Sequence, residues 1–134
     1  MSVFNYMVLN TDYSVSVVHN LELISTDYFS PPVPVPYDFD WSGMINIPYD
    51  SPFADAKTRH VDRLYKGPCL KRKELEKIFS EIRAKRDSIY QIYLDFPYLD
   101  EELRTRNLQE LDLFFITIDS RKLVRQEFIK DCED

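Results

Sequence analysis

Residues 71–94 read KRKELEKIFSEIRAKRDSIYQIYL, and their spacing decides the fold class. Leu75, Ile78, Phe79, Ile82, Ile89, Ile92 and Tyr93 recur at three- and four-residue steps. A helix over Lys71–Leu94 would carry them as one apolar stripe, with Lys and Glu filling the other side. Burying such a set stabilises by about 1.5–3 kcal/mol per large side chain before the ordering entropy is subtracted. Downstream, Leu103, Leu108, Leu111, Phe115 and Ile118 mark the buried line of a second helix, from about Asp100 to Asp119. Pro97 separates the two, which predicts a helical hairpin. Residues 121–130 read as a further short helix, and this whole half reads as scaffold.

The texture changes upstream. Residues 44–70 are irregular, with Pro48, Pro52, Gly67 and Pro68 as breakers. Residues 1–43 open on a short helical stretch and continue as strand-like patterns. Asn20-Leu21-Glu22-Leu23 alternates as a half-buried strand does. From Val33 onward Val35, Tyr37, Phe39 and Trp41 would point one way, and Pro34, Pro36, Asp38, Asp40 and Ser42 the other. Two prolines on one side restrict this to an edge strand, and a connection from Ile24 to Pro32 makes the pair a hairpin. The proline run also fits a polyproline ligand. The expected fold class is therefore mainly α with a small β-hairpin (α+β), in a single domain over residues 1–134.

Composition narrows the function classes. Two glycines in 134 residues cannot build a Gly-rich phosphate cradle or a dinucleotide fingerprint. Net charge is -6, and its distribution is uneven. From Met1 to Ala56 stand Asp12, Glu22, Asp27, Asp38, Asp40, Asp50 and Asp55 with no Lys or Arg, whereas the rest is nearly neutral. A basic-free segment attracts cations and repels a phosphate backbone, so no nucleic-acid partner is expected. A solvated acidic surface is the plain alternative. No run approaches the ~20 apolar residues of a membrane span, and the start has no basic signal-peptide region. Cys69 and Cys132 have no metal-ligand spacing. The expectation is a cytoplasmic protein with reduced thiols and no membrane association.

Chemistry concentrates between Asn10 and Gly43. On a strand, Asp38 and Asp40 would share a face about 6–7 Å apart, and at an effective dielectric near 20 they would repel by roughly 2–3 kcal/mol. Such a pair must stay solvated, share a proton or bind a cation, and Mg2+ or Mn2+ suits carboxylate oxygens. Asp38-Phe39-Asp40-Trp41-Ser42-Gly43 opens like an EF-hand loop but places Tyr49 where a bidentate Glu belongs. An Asp-x-Asp after a strand also suits a haloacid-dehalogenase-like phosphotransferase. That fold, however, needs alternating strands and helices downstream, where residues 71–131 read as nearly all helix.

Asn10-Thr11-Asp12, then His19-Asn20, then a hairpin, then Asp38-Phe39-Asp40 is the order of parts in kinase-like folds. On these residues the chain resembles atypical kinase-like proteins of the HipA-like and spore-coat CotH-like groups. It is similar along nearly its whole length to an uncharacterised bacterial family with N-T-D-x-S, H-N and P-V-P-Y-D-F-D-x-S-G motifs. The resemblance implies a kinase C-lobe-like fragment that keeps the catalytic and metal loops but lacks the ATP-binding lobe. Asp12 would accept the proton of an acceptor hydroxyl, and Asn20, Asp38 and Asp40 would hold Mg2+ or Mn2+. ATP would bind only with a complementary N-terminal lobe or partner chain, so activity alone is not expected. Arg59 and Arg63 are weaker candidates for a phosphate contact. The Asp12-to-Asn20 spacing is eight residues against roughly five in protein kinases. The plainer readings make Asp12 a cap or turn residue, Asn20 a turn residue, His19 a hydrogen-bonded histidine, and the segment a non-catalytic interaction module with an acidic face.

Overall fold

The computed structural model describes residues 1–25, 27–45, 63–130 and 132. The chain forms two compact units, Met1–Gly67 and Pro68–Asp134. The observed class is mainly helical with one two-stranded antiparallel sheet.

In the first unit, helix α1 (Ser2–Met7) buries Val3, Tyr6 and Met7. It stops where Leu9 takes a left-handed backbone, φ 52°. The carbonyls that its end leaves without helical partners are met by Arg63, whose Nη1 donates to Tyr6 O and Met7 O at 3.0 Å each. Leu9, Tyr13, Leu21, Met44 and Tyr65 complete the buried apolar set among the described residues. Gly67 closes the unit for a steric reason. A Cβ there would lie 2.6 Å from the Cβ of Ser2.

Strands β1 (Leu21–Ile24) and β2 (Val33–Pro36) form the expected hairpin, pairing Leu21 with Pro36 and Ile24 with Val33. The ladder continues one bond further, from Tyr37 N to Asn20 O at 3.1 Å. Because ladder bonds alternate along an antiparallel pair, the nitrogens of Pro34 and Pro36 then point away from β1. Their missing N–H groups therefore cost no ladder bond, which explains how an edge strand tolerates both. The strand is shorter than its alternation predicts. It ends at Pro36, and Asp38 turns the chain with φ 58°, so Phe39 and Trp41 are not its continuation.

In the second unit, Lys71–Leu94 is two helices rather than one. They are α2 (Arg72–Arg83) and α3 (Arg86–Asp95). Leu75 and Phe79 are fully buried, but between Ile82 and Ile89 no large apolar side chain holds the turn to the core. There Arg83 reaches sideways instead, donating Nε to Asp119 Oδ1 and Nη1 to Glu76 Oε1 at 2.7 Å each. Helix α3 buries no residue fully, and Ile92, assigned to the stripe, is 66% exposed.

Helix α4 (Glu101–Asp119) starts on Asp100, whose carboxylate accepts from Leu103 N at 2.8 Å, with Glu101 and Glu102 in the first turn. This is the charge placement that a helix N-terminus favours. The α3–α4 connection around Pro97 is gathered by Arg104, which donates to the carbonyls of Tyr93, Phe96 and Leu99. Leu111, Phe115 and Ile118 are buried as predicted, joined by Phe114, whereas Leu103 and Leu108 of the expected line are only half-buried. The chain ends in α5 (Arg121–Val124) and a π-helical turn, Arg125–Lys130, whose Phe128 stacks edge-on against Phe79 at 5.1 Å. The thiols expected to be reduced are joined instead. Cys69 and Cys132 form a disulfide, with Cα atoms 5.1 Å apart. Their separation of 63 residues in sequence hid a proximity that only folding creates.

Candidate functional site

Asp12 is positioned from both sides of the chain. Ahead of it Asn10 is fully buried and binds Asn5 twice, by Asn10 N to Asn5 O at 2.9 Å and Asn10 Nδ2 to Asn5 Oδ1 at 3.2 Å. The Asn10 Oδ1 accepts Asp12 N at 3.1 Å, which fixes the backbone two residues on. Behind it a four-residue loop is closed by two bonds between Ser14 and His19, at 3.0 and 3.1 Å. That loop returns His19 and Asn20 to the carboxylate. His19 Nε2 lies 3.2 Å from Asp12 Oδ1, and Asn20 Nδ2 donates to Asp12 Oδ2 and to Asp12 O at 2.9 Å each.

The acidic loop is stitched to the same segment at both ends. On one side Tyr37 N reaches Asn20 O. On the other, Ser42 Oγ donates to Val8 O at 2.5 Å and Gly43 N to Leu9 O at 3.1 Å. Phe39 packs edge-on against Phe4 of α1 at 5.9 Å. Asp38 and Asp40 thus lie on a loop whose two feet flank residues 8–20. Both carboxylates are exposed, and Asp38 stands close enough to Asp40 to act on it. The Asp40 carboxyl is accordingly held above its ordinary value by desolvation first, and then by the hydrogen bond and like charge of Asp38.

The sites expected from sequence therefore fall into two groups. Asp12 and Asn20 meet side chain to side chain, and Asp38 meets Asp40. Between the groups the described contacts are backbone ones, through Tyr37 and Asn20. Among the described residues no three His, Cys, Asp or Glu side chains gather at metal-binding spacing. A magnesium ion needs only one or two carboxylates and takes the rest of its shell from water, a demand that Asp38 and Asp40 meet in number. Arg59 lies outside the described residues. Arg63 is placed on the α1 carbonyls and over the Tyr6 ring at 5.6 Å, rather than at the acidic loop.

No family model, curated protein or solved structure matches this chain.

Lys66 is the neighbour that sequence reasoning missed. Its Nζ donates to Thr11 O at 2.9 Å and to Tyr13 O at 2.8 Å, bracketing Asp12, and it lies 5.6 Å from the centre of the Tyr13 ring. The segment without Lys or Arg thus has a cation beside it, contributed from 53 residues further on. Nothing in Tyr65-Lys66-Gly67 signals this, because a lysine is an ordinary surface residue until the fold gives it two carbonyls. Asn5, by contrast, had a faint signal: a polar residue between apolar neighbours in the first helix.

Proposed function

We propose that the first unit is the catalytic-loop and metal-loop part of an atypical kinase-like phosphotransferase, with an ATP-binding lobe supplied from outside this chain. The observation that carries this reading is the Asp12 carboxylate held between His19 and Asn20, with the Asp38–Asp40 loop anchored on both sides of it. In this reading Asp12 orients an acceptor hydroxyl and takes its proton. Asn20 and Asp38 hold Mg2+ or Mn2+, Asp40 adds a second carboxylate, and the metal offsets the charge of the transferred group. Lys66 keeps the Asp12 loop in place and lessens the repulsion a polyphosphate would meet.

The hairpin fits the same reading. Leu23, Ile24, Val33 and Val35 are exposed, and Tyr28 and Phe29 at its tip are 96% and 95% exposed. A complementary lobe would cover this surface. The same exposed apolar set favours a second reading, an interaction module whose acidic hairpin docks a partner and whose carboxylates have no catalytic task. No helix among the described residues is long and apolar enough to cross a membrane. Since disulfides persist in oxidising surroundings, the Cys69–Cys132 bond favours such a compartment over the expected cytoplasm.

Titration with Mg2+ or Mn2+ separates the two functional readings. Phosphotransfer requires thermal stabilisation by millimolar metal that disappears in Asp38→Ala. It also requires ATP turnover, once a complementing lobe is added, that Asp12→Ala abolishes. Turnover surviving that substitution would remove Asp12 from the role of base, and the absence of any metal response would leave the interaction module.

A further inference from the structure

The β-hairpin shows its surroundings apolar side chains and hydrogen-bond acceptors, but along one stretch no backbone donor. From Phe29 to Pro36 every N–H is either engaged or missing. Phe29 N and Ser30 N donate to Asp27 Oδ1 at 2.8 and 2.7 Å, and Ser30 Oγ donates to Asp27 Oδ2 at 2.6 Å. Val33 and Val35 donate across the ladder to β1, and Pro31, Pro32, Pro34 and Pro36 have no N–H to give. At the tip, the Tyr28 and Phe29 side chains are almost wholly exposed, their rings edge-on at 5.7 Å. Ile24, Val33 and Val35 of the stem are exposed as well. Charge in this region has one sign. Between Asn20 and Ile45 stand Glu22, Asp27, Asp38 and Asp40, with no Lys or Arg. The cations described in this unit, Arg63 and Lys66, are directed to the carbonyls of Tyr6, Met7, Thr11 and Tyr13 instead.

From this arrangement we propose that the hairpin tip docks, Tyr28 and Phe29 foremost, in an apolar pocket of a protein partner rimmed by Lys or Arg. Taking a backbone donor out of water without a partner is destabilising, and between Phe29 and Pro36 the tip has none to lose. Exposed aromatics are the side chains that anchor interfaces by filling a pocket. What the hairpin leaves to be met is carboxylates and carbonyls. Lys and Arg answer both, since their side chains only donate and carry the opposite charge. A phosphatidylcholine surface offers no donor, and segments that lie on membranes carry the Lys and Arg that this one lacks. Docking of this kind rests on the acidic hairpin engaging a protein, as in the second reading above, and requires no catalytic task of Asp12.

The pocket chemistry is tested on the full chain, labelled with nitrogen-15, by titration with aminated β-cyclodextrin, an apolar cavity with a cationic rim. Saturable shifts centred on Tyr28, Phe29 and Ser30 are expected. Neutral β-cyclodextrin should bind about threefold more weakly or worse at low ionic strength, the scale on which exposed charge pairs act. Tyr28→Ser and Phe29→Ser should each weaken binding about fivefold or more, and both change side chains exposed enough to leave the fold intact. Phosphatidylcholine vesicles should not sediment the chain. In its own cells, a chain carrying Tyr28→p-benzoylphenylalanine should cross-link to a protein at a peptide bearing Lys or Arg, and lose that adduct when Phe29→Ser is added. Equal affinity for the two cyclodextrins, sedimentation with vesicles, or adducts confined to lipid would overturn the proposal. Saturable shifts along Ile24, Val33 and Val35 that bypass the tip would also overturn it, while leaving a hairpin that docks a partner.

Discussion

Asp40 holds its proton to higher pH than an ordinary carboxyl, through desolvation first and then through the hydrogen bond and like charge of Asp38. Because the folded chain binds this proton more tightly than the unfolded chain, the group's contribution is complete at low pH. It is lost as pH rises from the ordinary value of 3.8 through the raised folded one. Asp38→Asn should therefore bring the Asp40 midpoint down in a carbon-detected NMR titration, and raise stability at neutral pH. Magnesium should lower the same midpoint, since a cation favours the ionised form. A midpoint unmoved by Asp38→Asn would show that the two carboxyls do not communicate. Backbone strain sits nearby. Val18, Asn20 and Asp38 all have φ between 50° and 58°. Asn and Asp tolerate this region, but a β-branched residue does not. Val18 is exposed and loses little packing on truncation, so Val18→Gly should stabilise the first unit by about 1 kcal/mol in urea denaturation.

At the scale of elements, helix α4 depends on its first turn as much as on its apolar line. Asp100→Ala removes the acceptor for Leu103 N and a negative charge from the positive end of the helix dipole. The expected cost is about 1 kcal/mol, read as a lowered midpoint in chemical denaturation of the chain. Asp100→Asn should recover most of it, because the amide oxygen still caps. The hairpin follows the same local logic, with its prolines tolerated because their nitrogens face away from the partner strand. Where local patterns failed, a neighbouring element had decided the outcome. The break at Ala84–Lys85 lies where periodicity offers no apolar anchor and Arg83 turns to Asp119, a residue 36 positions away.

For the molecule as a whole, the disulfide is the tie of longest reach among the described residues of the helical unit. Closing a loop of 63 residues restricts the unfolded chain by about 4 kcal/mol in the loop-entropy account. Cys132→Ser, or reduction by dithiothreitol, should lower the unfolding free energy of that unit by about this amount. If the two conditions leave the midpoint unchanged, the bond is not part of the folded protein in solution. Much of the architecture was legible in the residues alone: the α4 line, the hairpin with its prolines at an edge, and the order Asp12, Asn20, Asp38. These are set by periodicity, turn chemistry and local hydrogen bonding, each acting over a few residues. Tertiary structure alone decided that Cys69 meets Cys132, that Lys66 brackets Asp12, and that the chain turns at Asp38 instead of carrying Asp38 and Asp40 along one strand. Those facts depend on which distant segments share space, and residue spacing carries no record of that until the chain has folded.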